Sequence, residues 1–201
     1  MANKKAFLLL NGETPKKLPD LSNYEIICAT DGAYNFLKKQ NIKPDFISGD
    51  FDSLDEKPTD IKTIHTPNQD LTDFDKILQI LCDKGFNEID IYGASGKTQD
   101  HFLGNLHTAL QWQKKLNLIF YDNYGYYFLA KHKTSITNCK DKIISLIPFY
   151  KTKGIVTKGL KYALKKEDLI FGDRIGTRNK ATENNIEITF EDGNLIVFVN
   201  D

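Results

Sequence analysis

As far as Asn123 the sequence alternates short apolar runs, rich in β-branched and aromatic residues, with segments whose apolar residues recur at helical spacing. Residues 6–10, 25–29, 45–48, 61–65, 88–92 and 117–121 read as strands. Phe74, Ile77, Leu78 and Leu81 trace one face of a helix opened by Asp70, Thr72 and Asp73 and closed by Gly85; Leu103, Leu106 and Leu110 trace another after Asp100. Neighbouring parallel strands need a crossover, and a helix is the usual one, so this alternation predicts a mostly parallel sheet with helices on its faces. After about Tyr126 the grammar changes to short strands without helical repeats, over 134–137, 142–148, 154–157, 161–164, 185–190 and 194–199. Asp192-Gly193 between the last two predicts a tight hairpin. The expected fold is α/β: an N-terminal, mostly parallel, Rossmann-like domain over 1–123, followed by a smaller C-terminal all-β sandwich or partial barrel over 124–201.

Charge divides at the same place. The 27 basic and 27 acidic residues cancel over the chain, which excludes the global basic field of a non-specific nucleic-acid binder. Up to Asn123, however, 14 Lys face 18 Asp and Glu, a net of −4, and from Tyr124 onward 13 basic residues face 9 acidic ones, a net of +4. Cys28, Cys82 and Cys139 are odd in number and form no C-x-x-C pair, which fits a reducing cytoplasm better than a disulfide framework. Lys4-Lys5 before five apolar residues imitates a signal peptide, but the run is too short and Asn11-Gly12-Glu13 ends it. No stretch approaches the ~18–20 apolar residues that span a bilayer, so no membrane role is expected.

Acidic residues gather just after the expected strands: Asp31-Gly32 after 25–29, Gly49-Asp50-Phe51-Asp52-Ser53 after 45–48, and Gly93 to Asp100 after 88–92. Ligands of open parallel sheets bind beyond the carboxyl ends of the strands, so these loops should converge on one cleft. Asp50 and Asp52 can both face one hard cation such as Mg²⁺ bridging phosphates, although two aspartates in a turn are also an ordinary solvated arrangement. Asp70, Asp73 and Asp100 weigh toward the metal reading, while Asp73 and Asp75 serve equally well as helix-start residues. Gly93-Ala94-Ser95-Gly96-Lys97-Thr98 has two residues between its glycines where a P-loop has four. A P-loop NTPase is excluded, but a glycine turn whose N–H groups and Lys97 face an anion is not. His101 reads as a capping or packing residue or as a catalyst, and no Cys/His set has zinc spacing.

Taken together, Asp31-Gly32-Ala33-Tyr34-Asn35, Pro44-Asp45, Gly49 to Ser53, Asp70-Leu71-Thr72-Asp73 with Lys76, and Gly93-x-x-Gly96 leading to Asp100-His101 and Gly104-Asn105 resemble the thiamin pyrophosphokinases in order and spacing. A weaker likeness continues in Gly159-Leu160-Lys161-Tyr162 and Gly176-Thr177-Arg178-Asn179. The resemblance implies a catalytic α/β domain, a β-rich vitamin-binding domain, a homodimer with the vitamin site near its interface, and transfer of the diphosphate of ATP to the hydroxyl of thiamine with release of AMP. It implies that Asp50, Asp52, Asp70 and Asp73 form the Mg²⁺–ATP set, that Asp31 belongs to the nucleotide site, and that Asp100 faces the transferring group or thiamine. Gly32, Asn35, Thr72, Gly96, His101, Asn105, Tyr162 and Asn179 are carried over as binding residues. Three positions depart from the family pattern: Thr98 stands where an arginine is common, leaving Lys97 as the expected phosphate cation, Tyr162 where tryptophan is frequent, and Arg178 where serine is usual. Carboxylates and a metal without a catalytic Cys or Ser suit phosphoryl-type transfer, which needs positioning and charge neutralisation. A metal-dependent nucleotide-sugar glycosyltransferase and a non-catalytic thiamine or nucleotide sensor are the rival readings.

Overall fold

The computed structural model describes residues 4–52, 54 and 58–201, which form two compact units, Met1–Asn123 and Tyr124–Asp201. In the first unit β1 (Lys5–Leu9), β2 (Ile26–Thr30), β3 (Phe46–Gly49), β4 (Lys62–His65), β5 (Glu88–Tyr92) and β6 (Asn117–Tyr121) form a parallel array in the order β4-β3-β2-β1-β5-β6. The order turns round between β1 and β5. Among the described residues three α-helices cross between strands, α1 (Asp31–Lys39), α2 (Asp73–Asp83) and α3 (Gln99–Trp112), with a short 3-10 turn at Leu21–Asn23.

Both faces of the sheet are covered, which is why Ala6 to Leu9 of β1 read as an unbroken apolar run; β5 is interrupted by the buried Asp90. Phe7, Leu9, Ala29 and Ile47 point to one face and pack on Ala33, Tyr34 and Leu37 of α1. Register pairs Leu8 with Cys28 and Ile91, and Ile91 with Phe120, so this row occupies the other face. Phe74 of α2 meets Phe120 edge-on there at 6.0 Å, and Trp112 Nε1 of α3 donates to Asp75 Oδ1 of α2 at 2.5 Å. Phe7, Leu8, Ile47, Ile77, Leu78 and Leu81 are wholly buried, each worth roughly 1.5–3 kcal/mol. Leu103 is the exception to the expected helical stripe: it is 60% exposed, and Leu106, Ala109 and Trp112 carry the buried face of α3.

The second unit is antiparallel and built on one long strand. β7 (Gly125–Leu129), β8 (Lys133–Ile136), β9 (Ile143–Lys158), β10 (Lys165–Ile170), β11 (Gly176–Lys180), β12 (Ile186–Thr189) and β13 (Asp192–Asn200) surround a core that includes Ile144, Leu146, Ile155, Leu169, Ile188 and Val197. The expected strands at 142–148 and 154–157 are a single strand of 16 residues, β9. Residues 161–164 are not a strand; the strand lies one step on, at β10. The expected Asp192-Gly193 hairpin is also corrected. Thr189 pairs with Val156 and Asp192 with Lys153, so β12 and β13 follow each other along the same edge of β9. β10 and β11 hold the opposite edge.

Candidate active site

A cleft of about 570 Å³ opens beyond the carboxyl ends of β1, β2, β3 and β5, where the strand order turns round, within the usual size of a small-molecule site. Asn11 and Gly12 reach it from β1, Thr30 and Asp31 from β2, and Asp50 from β3. The start of α2 brings Asp70, Thr72, Asp73 and Lys76; the turn after β5 and the start of α3 bring Lys97, Asp100, His101 and Asn105. Gly32, Asn35, Asp52 and Gly96 are not among its lining residues. Ser53, the last residue of the Gly49 motif, lies outside the described residues.

The loop after β3 is held from beneath. Asp31, 3% exposed, accepts from its neighbour Gly32 N–H at 2.7 Å and from Phe51 N–H at 2.8 Å. Burial pushes its carboxyl above the usual range, and the two N–H bonds pull the other way. Asp50 accepts from Asp52 N–H at 3.2 Å and from Gln69 Nε2 at 3.3 Å, and the Asp52 bond is the main reason its carboxyl sits below the usual range. Asp52 is exposed.

Thr72 caps α2, accepting from Asp75 N–H at 3.2 Å, so Asp73 occupies the first turn. Lys76 lies one turn further in and is 8% exposed. Its ammonium donates to Thr66 O at 2.8 Å and Asn68 O at 3.2 Å and pairs with Asp73 Oδ1 at 2.8 Å. These contacts, with the bond from Asp70 N–H to Asn68 Oδ1 at 2.9 Å, fix the loop that presents Asp70.

Across the cleft, Lys97 Nζ donates to Asn11 Oδ1 at 2.8 Å, and the backbones of the two loops pair through Gly12 N–H to Gly93 O and Glu13 N–H to Ser95 O, both 2.7 Å. Thr98 Oγ1 and His101 Nδ1 are 2.9 Å apart. Asp100 is held below the usual carboxylate range by the Thr98 hydroxyl and then by the His101 N–H. Asn105 Nδ2 donates to Ala94 O at 2.8 Å and so supports the glycine turn.

Asn11, Thr30 and Gln69 are polar cleft residues that the sequence reading gave no role, and Lys76 entered it only as a motif residue. Asn11 and Thr30 were reachable by the same strand-end argument, applied to β1 and to the last residue of β2. Thr30 Oγ1 is buried without a hydrogen-bond partner among the described residues, a free hydroxyl in a residue that lines the cleft.

Tyr162 and Asn179 belong to the second unit. The Asn179 side chain, 8% exposed, clasps the backbone of Tyr162, accepting from its N–H at 3.1 Å and donating to its carbonyl at 2.8 Å. The Tyr162 side chain stands 65% exposed, with Lys161 Nζ 5.3 Å from its ring centroid. Arg178 has φ 54 and donates its N–H to Ser145 Oγ at 3.0 Å.

The donors on the rim of the cleft are carboxylate oxygens, which suit a hard divalent cation. Among the described residues no three His, Cys, Asp or Glu side chains form a closed cluster. Mg²⁺ tolerates that state, since it keeps several waters and takes phosphate oxygens beside one or two carboxylates.

The sequence profile of "Thiamin pyrophosphokinase, catalytic domain" matches residues 19–120, and that of "Thiamin pyrophosphokinase, vitamin B1 binding domain" matches 131–195. The chain belongs to the thiamin pyrophosphokinase family. Thiamine pyrophosphokinase of Bacillus subtilis is 28% identical over 199 residues, covering 91% of this chain and 93% of its own. Thiamin pyrophosphokinase 1 of Caenorhabditis elegans is 29% identical over 175 residues, covering 79% and 72%. The fold is shared with the crystal structure of the Bacillus subtilis thiamine pyrophosphokinase, at a TM-score of 0.84 and 23% identity over 97% of this chain and 98% of that one. It is shared also with thiamin pyrophosphokinase from Candida albicans, at 0.83 and 18% identity over 99% and 90%.

Proposed function

We propose that the chain transfers the diphosphate of ATP to the hydroxyl of thiamine, giving thiamine diphosphate and AMP. The thiamine oxygen attacks the β-phosphorus, the bond from that phosphorus to the α,β-bridging oxygen breaks, and AMP leaves as the hydroxyl proton is given up. The observation that carries this reading is the convergence of Asp50, Asp70, Asp73, Lys97 and Asp100 on one cleft, in a chain matched in order by the catalytic and vitamin B1 binding domains. Family membership favours neither sugar transfer nor a silent sensor.

The strand order and the position of the cleft support a Rossmann-like reading of the first unit, with 1–123 as the ATP/Mg-binding catalytic domain and 124–201 as the thiamine-binding domain. Asp50, Asp52, Asp70 and Asp73 would hold Mg²⁺, which when bound neutralises phosphate charge. Lys97 offers a cation to the transferring phosphates, Asp100 faces the transferring group or thiamine, and His101, Asn105 and Thr72 shape the walls. Gly32, Asn35 and Gly96 act as parts of the turns and helix around the nucleotide. Tyr162, its backbone clasped by Asn179, provides an aromatic face for the vitamin, in a homodimer whose vitamin site lies near the interface. Three free cysteines support a reducing cytoplasm, and among the described residues no helix is long and apolar enough to cross a membrane.

Purified protein given ATP, Mg²⁺ and thiamine should yield AMP and thiamine diphosphate in equal amounts. Thorough chelation should abolish the yield and added Mg²⁺ restore it. Release of ADP, or no product after long incubation, would reject the reading.

A further inference from the structure

We propose that Asp31 is a strut: it fixes the loop that carries Asp50 and Asp52 by bonding the backbone between them, instead of contacting the nucleotide. The inference rests on the functional reading above for what those two carboxylates hold, but its structural basis is separate. Phe51 stands between them with φ 69, a left-handed conformation that costs a residue with a Cβ roughly 1–2 kcal/mol. Such a conformation persists only where its surroundings over-determine it. Here the surroundings include the His65 ring, stacked on Phe51 with centroids 6.0 Å apart, and at the backbone the Asp31 carboxylate, which accepts the Phe51 N–H at 2.8 Å while its other oxygen accepts Gly32 N–H at 2.7 Å.

Gly49 completes the device. A Cβ at that position would lie 2.4 Å from the Asp31 carboxyl carbon and from Oδ2, the oxygen that serves Phe51, so the absence of a side chain is what lets the carboxylate in. An acidic residue at a helix start is often explained by the macrodipole alone. That explanation covers the bond to Gly32; it covers neither the reach of 20 residues to Phe51 nor the space left at Gly49. With the strut in place, the chain turns at Phe51, Asp50 lines the cleft, and Asp52 N–H bonds back to Asp50 Oδ1.

Amide hydrogen exchange in the protein without nucleotide or metal tests the strut directly. Asp31→Asn, whose amide offers one acceptor and turns N–H groups on the other donor, should speed exchange at Phe51 by tenfold or more. Gly49→Ala, which leaves the carboxylate intact but displaces it, should do the same and keeps the test open if Asp31→Asn folds poorly. Calorimetric titration of Mn²⁺ with a non-hydrolysable ATP analogue present should show metal binding weakened about tenfold in both, with affinity for the metal-free analogue changed less than twofold. In a Phe51→Gly background, where the left-handed turn is free of strain, Asp31→Asn should cost less than in the parent. Unchanged exchange at Phe51 in both variants overturns the strut. Loss of metal-free analogue binding with unchanged metal affinity overturns it in favour of direct nucleotide contact. A parent that makes no thiamine diphosphate would reject the functional reading while leaving the exchange result to stand or fall alone.

Discussion

Lys76 and Lys97 line the same cleft and have opposite parts in it. Lys76 is buried, and its two carbonyl partners and one carboxylate occupy all three donors, so it organises the Asp70 loop and has none to give a phosphate. Lys97 is exposed and spends one donor on Asn11. Thr98, in the place of the family arginine, is engaged with His101. Lys97→Ala should therefore lower kcat about tenfold or more while raising the KM for thiamine less than threefold, because its charge matters most as AMP departs. Steady-state kinetics that match the parent at saturating ATP would make Lys97 a solvated loop residue. Lys76→Met should instead lower stability by about 1–3 kcal/mol in a denaturant titration, since two carbonyls and Asp73 lose their donor. A midpoint equal to the parent's would contradict that role. The sequence made Lys97 visible through its neighbouring glycines. The part played by Lys76 depends on carbonyls of residues 66 and 68, eight to ten positions away, whose direction no spacing rule gives.

At the scale of elements, the parallel array was legible because burial on both faces leaves continuous apolar runs at β1 and β6, and β5 and β6 match their expected bounds. The antiparallel unit was less so. Pro148 and Gly154 look like breaks, yet β9 runs through both, and β10 reads Lys-Lys-Glu-Asp before its apolar end. Asp192-Gly193 has the composition of a hairpin turn, but β9 offers the chain a further stretch of the edge that β12 already occupies, and tertiary pairing overrides the local preference. Gly193 is needed there for another reason. It has φ 98, and a Cβ would stand 2.2 Å from Lys151 O. Gly193→Ala should cost about 2 kcal/mol or more, combining left-handed strain with a backbone clash. Thermal melting followed by far-ultraviolet circular dichroism checks this, and an unshifted midpoint would mean that the β9–β13 edge adapts freely.

For the whole molecule the question raised by the proposed function is how a cleft in one unit and an aromatic residue in the other would serve one reaction. Asp50 and Lys97 lie in Met1–Asn123, whereas Tyr162 and Asn179 lie in Tyr124–Asp201. Composition made this division readable, through the change of grammar and the charges of −4 and +4, but composition cannot say whether the two sets of residues that meet belong to one chain. The homodimer reading puts the vitamin site near the interface, and complementation tests whether the two sets come from different copies. Asp50→Asn removes one of the proposed metal ligands and Tyr162→Ala the proposed aromatic face for the vitamin, so each variant alone should retain a few per cent of activity or less. Refolded together in equal amounts, half the dimers would be mixed, and each would contain one site with both parts intact. Recovery of about a quarter of parental activity is the expected result for such a two-fold assembly. Light scattering on the same samples should give about twice the chain mass of 23.0 kDa. No recovery from a demonstrably mixed dimer would place cleft and aromatic face in one chain. A fully active species of 23.0 kDa would remove the dimer altogether.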